Sequence, residues 1–156
     1  MVLDVASSYE DILESVFSAP IAAKAWLATI AGALALVQIV TAARIYGRLR
    51  AVLRLPDAVV SRVHRWSGRV AVLVSLPVVF HCVFILGFQT TSARVAIHSV
   101  VGSFLYGVVA TKVFIVRTHD YPGWVLPVAG GTLFSVLAAL WATSSLWYFT
   151  EVRFGF

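Results

Sequence analysis

The sequence predicts an all-α polytopic membrane protein, a bundle of four transmembrane helices with the N and C termini outside. Three observations carry this. Four apolar runs, at about residues 21–43, 66–88, 95–116 and 124–149, each reach the roughly 20 residues needed to cross a hydrocarbon core. Hydrophobic residues make up 60% of the chain and charged residues only 12%, which is not the balance of a soluble globule. Between the first two runs, Arg44, Arg48, Arg50, Arg54, Arg62 and Arg65 stand against a single Asp57, and the positive-inside rule makes this 44–65 segment cytoplasmic.

Residues 1–19 are expected to form an outer interfacial segment and residues 20–156 the transmembrane domain. Ser8 to Asp11 reads as a capping-box-like start, and Ile12, Leu13, Val16 and Phe17 follow at helical spacing. Asp4, Glu10, Asp11 and Glu14 would sit badly against an anionic cytoplasmic leaflet, which favours the outer side. The first run lacks the basic region that precedes a cleaved signal peptide, so it reads as a retained helix, opened by Pro20, with Trp26 at belt depth and Gln38 as its interior polar group. In the second run Pro77 removes a backbone hydrogen bond one turn before His81 and should kink the helix. The connection at 89–94 is then outside, and the one carrying Arg117, His119 and Asp120 is cytoplasmic. The fourth run supplies Gly130, Gly131, Trp141, Ser144, Ser145 and Trp147 as packing and belt residues. The net charge of +5 does not point to nucleic acid, because the basic residues border the apolar runs.

The chemistry available is imidazole. A single cysteine, Cys82, permits neither an intrachain disulfide nor a cysteine-built zinc or iron–sulfur site. His81 lies near the end of the second run and His98 near the start of the third, at depths of roughly 10 Å and 5 Å from the outer surface. Level imidazoles on two antiparallel helices make a bis-histidine haem b site. His64-x3-Gly68 and His98-x3-Gly102 share one pattern, and each glycine, a turn from its histidine, clears space on the same face for a flat macrocycle or for close helix packing. His64 and His119 form a candidate second, inner pair, although the 17 residues between His64 and His81 do not return to the same helix face. The chain is thus expected to hold one haem or two. Lys112 either meets a haem propionate or a quinone oxygen or snorkels to the inner interface, and Arg94 either serves an outer propionate or flanks the helix. Zinc or copper alone is disfavoured, since neither central run contains a carboxylate to complete the site.

The four short runs, the histidines on the central two and His98-Ser-Val-Val-Gly102 together resemble the cytochrome b-561 and ferric-reductase-like membrane cytochromes over residues 60–120. His64-Arg-Trp-Ser-Gly68, Pro77-x3-His81 and Pro122-Gly-Trp124 also resemble an uncharacterised family of short bacterial four-helix membrane proteins. Ser61-Arg-Val-His64-Arg65-Trp-Ser67-Gly68 is similar to the signature of the succinate dehydrogenase cytochrome b anchor, a likeness that implies quinone contacts from Ser61 and Arg65.

The function expected is that of a b-type cytochrome in the cell membrane, either an electron-transfer protein or an oxidoreductase subunit. It would pass electrons between an inner or quinone donor and an outer redox partner. The alternative is a non-catalytic membrane anchor or assembly subunit of a respiratory complex, with histidines that only pack.

Overall fold

The computed structural model describes residues 7–9, 11, 20–118 and 120–153. Among the described residues there is no strand, and four helices are long and apolar enough to cross a membrane. They are α1 (Pro20–Ile45), α2 (Asp57–Phe80, continued by a π-helical turn at His81–Leu86), α3 (Ala93–Thr118) and α4 (Val125–Trp141, continued by π-helical turns at Ala142–Leu146 and Tyr148–Arg153). The chain is therefore an all-α four-helix bundle and a multi-pass membrane protein. Leu73, Phe84, Phe104 and Phe114 are more than half exposed, as side chains that meet lipid should be. The interfacial helix expected from residues 12–17 lies outside the described residues.

α1 is the spine of the bundle. Its buried residues are mostly alanines, Ala22, Ala23, Ala25, Ala31 and Ala35, and small side chains let neighbouring helices approach closely in lipid. α2 packs along one side of it and α4 along the other, α3 packs on α4, and α2 and α3 scarcely touch. The order around the bundle is thus α2, α1, α4, α3. The α1–α4 seam is tied by Ser145, whose hydroxyl donates to Ala25 O at 3.0 Å, and by Trp141, whose indole N–H donates to Thr29 Oγ1 at 3.0 Å. The direct α2–α3 pairing implied by their short connection does not form.

At its far end α1 stops in a Schellman turn. Gly47 takes φ +84°, Arg48 N–H donates to Ala43 O and Gly47 N–H to Arg44 O. The chain returns under the control of Arg44, which is buried although charged. Its guanidinium donates to Leu53 O (2.8 Å) and Leu55 O (2.9 Å) and pairs with Asp57 at 2.9 Å. Asp57 stands in the first turn of α2, where a carboxylate also suits the helix dipole. This anchorage starts α2 at Asp57, well ahead of the apolar run at 66, and carries the helix through a stretch whose arginines Arg62, Arg65 and Arg69 are exposed. His64 consequently lies inside α2.

Pro77 leaves its mark one turn later, where the backbone widens into the π-helical turn that starts at His81. The Pro77 carbonyl receives both the His81 N–H and, at 2.7 Å, the hydroxyl of Tyr9. Gly87, at φ +68°, then ends the helix.

Candidate functional site

Because α2 and α3 stand apart, a cavity of about 370 Å³ lies between them, backed by α1 and α4. That is within the range of small-ligand sites, roughly 300–1,000 Å³. It runs from the 87–89 turn, at the end of the bundle where α1 begins and α4 ends, to the level of Ser75, Gly102 and Leu105. Small residues of α1, Ala25, Ala28, Ala31 and Gly32, make its floor, and Trp141 and Trp147 of α4 make an aromatic wall. Ser75 and Tyr106, hydroxyls 3.0 Å apart, bridge α2 to α3.

His98 lines this cavity, and its hydrogen bonding fixes its tautomer. The Thr143 hydroxyl has one proton, and Ala139 O engages it at 2.7 Å. The same oxygen lies 2.9 Å from His98 Nδ1, so it accepts from Nδ1–H. Nε2 is left with its lone pair, the state in which an imidazole binds a metal or accepts a proton. Gly102, one turn further along α3, also lines the cavity, and a Cβ there would meet Leu140 at 3.6 Å, ordinary contact. Arg94 lies on the wall too, but its guanidinium is engaged: Nη1 donates to Thr143 O at 2.6 Å and the group stacks 4.0 Å over Trp147.

His81 is placed differently. It is buried, but the cavity-lining residues of α2 include its neighbour Cys82 and not His81 itself. Its ring centroid is 6.1 Å from that of Tyr9. The structure thus brings His98, Arg94 and Gly102 to one cavity and holds His81 beside it.

The other histidine cluster lies at the opposite, arginine-rich end. Thr41 Oγ1 donates to Val37 O at 2.6 Å and lies 2.8 Å from His64 Nδ1, so by the same reasoning it accepts from His64. The Gln38 amide donates to His64 O and, at 2.7 Å, to Ser67 Oγ. Gly68 faces that amide so closely that a Cβ would come within 3.2–3.3 Å of it. Lys112 is half-buried on α3, towards the same end of the bundle. Ser61 is half-buried and Arg65 exposed on the same stretch of α2. His119 lies outside the described residues. Among the described residues no group of three or more histidine, cysteine or carboxylate side chains is arranged to hold a metal ion unaided.

The two His-x3-Gly segments are therefore held alike at opposite ends. In each, a threonine on the partner helix takes the imidazole N–H, and the residue three positions before that threonine packs on the glycine. Sequence reasoning missed Thr41, Thr143 and Lys24. The threonines could have been found as hydroxyls at the depth of each histidine, and Lys24 as a cation inside an apolar run.

In comparison with known proteins, residues 5–156 match DUF6529, described as a family of unknown function. No curated protein and no solved structure matches the chain.

Proposed function

We propose, for a chain that belongs to DUF6529, a family of unknown function, that it is a membrane-embedded b-type cytochrome with haem in the cavity between α2 and α3. The observation that carries this reading is the His98–Thr143 pair. A ligating histidine characteristically donates its second ring N–H to a fixed acceptor, and His98 does so, leaving Nε2 for the ligand side. Gly102 clears the next turn of α3, and the alanines of α1 and tryptophans of α4 give a flat apolar group a low-dielectric surround. His81, the other histidine at this end, would be the second residue to hold the haem, and its ring, now beside Tyr9, would have to turn towards the cavity. When bound, haem b supplies one-electron transfer.

On this reading the arginine-rich loop lies in the cytoplasm and the haem near the outer face of the cell membrane. His64 and Lys112, at the inner end, face an inner donor or a quinone, and an outer redox protein exchanges electrons at the haem.

Protein purified from haem-sufficient cells is expected to show a Soret band and a reduced α-band, with pigment lost in His98→Ala. A colourless wild type would sink the cytochrome and leave the anchor or assembly-subunit reading. His81→Ala should convert a six-coordinate low-spin spectrum to a five-coordinate one, and an unchanged spectrum removes His81 from the ligand set. Haem per polypeptide, measured again after His64→Ala, decides whether a second site exists.

A further inference from the structure

The cavity carries cations and no acid. Lys24 and Arg94 both line it, and among the described residues that do so there is no carboxylate. The two cations are not equivalent. Arg94 is committed to Thr143 O and to the face of Trp147, which makes it a brace for the helix turn that also positions His98. Lys24 is half-buried on α1, and among the described residues it makes no hydrogen bond or ion pair. It shares the cavity lining with His98 on α3 and Cys82 on α2. Holding a cation inside an apolar run is costly unless something anionic meets it.

From this placement we propose that Lys24 is the carboxylate-binding position of the cavity, pairing with a propionate of the ligand while Arg94 braces His98. The assignment rests on the haem reading. On that assignment the acidic edge of the ligand would lie towards the 87–89 turn and its apolar edge towards Gly102 and Leu105.

The test compares haem b with its dimethyl ester, which keeps the macrocycle and iron but has no carboxylates. Full-length protein, stripped of pigment and kept in detergent, is titrated with each. Lys24→Gln is expected to weaken haem b binding roughly tenfold, the loss of one charge-assisted contact, and to leave the ester unaffected. Arg94→Gln should weaken both ligands together, because its effect passes through Thr143 and His98. The reduction potential of the loaded protein should also fall in Lys24→Gln, since a nearby cation favours the ferrous state. Equal loss of both ligands in Lys24→Gln, or loss of neither, overturns the proposal while the haem reading stands. A wild type that takes up neither ligand instead refutes the haem reading, and this assignment with it.

Discussion

Thr143 does for His98 what Thr41 does for His64: each hydroxyl gives its proton to its own helix and accepts the imidazole N–H, setting the tautomer. Thr143→Val removes that acceptor with little change in shape. On the haem reading, haem affinity, read by titration of the stripped protein, should fall roughly 10–100-fold, the usual loss when the hydrogen-bond acceptor of a ligating histidine is removed, and Thr143→Ser should restore most of it. Arg44 carries a different kind of weight. Its two charge-assisted bonds to Leu53 O and Leu55 O hold the return of the chain. Arg44→Met should cost on the order of 2–3 kcal/mol in unfolding measured in mixed micelles. Lys at 44 should not rescue it, since one ammonium cannot reproduce the planar fork that spans both carbonyls.

At the scale of elements, the two glycines of the His-x3-Gly segments should respond differently. A methyl group at Gly68 would press on the Gln38 amide, so Gly68→Ala should loosen α1 from α2 by about 1–3 kcal/mol, an overpacking cost. Gly102 faces the cavity and has ordinary contact distance to spare. Gly102→Leu should therefore leave thermal unfolding nearly unchanged while excluding the ligand, which is checked by pigment content at equal protein. The helices themselves were legible in the sequence, because runs of lipid-compatible residues are a one-dimensional signal. Their ends were less so. α2 begins at Asp57 because a buried arginine can clamp its first turn and exposed arginines can reach the interface, neither of which raises hydrophobicity. Pro77 was readable as a disturbance, but the π-helical turn it precedes changes the angular advance, and with it the direction of His81.

For the whole molecule, the basic segment between α1 and α2 predicts sidedness. In a Cys82→Ser background, Val52→Cys, at a site 82% exposed, should react with an impermeant maleimide only once the cytoplasmic side is opened, and Thr91→Cys should react from outside. The reverse pattern would put the proposed haem at the inner face. Hydropathy fixes the number of crossings but is silent on which helices are neighbours, so the separation of α2 from α3 was not legible. That placement followed from Gln38, Thr41 and Arg44 engaging one hairpin and Leu140, Thr143 and Trp147 completing the other. The two hairpins meet chiefly along the α1–α4 seam, which has a consequence for biogenesis. Each hairpin can enter the bilayer with its own polar contacts already made, and lateral docking of α1 on α4 then creates the cavity. The pocket does not exist in either half alone, so on the haem reading cofactor loading comes last, and cells starved of haem should accumulate an inserted, assembled and colourless precursor ready to be filled.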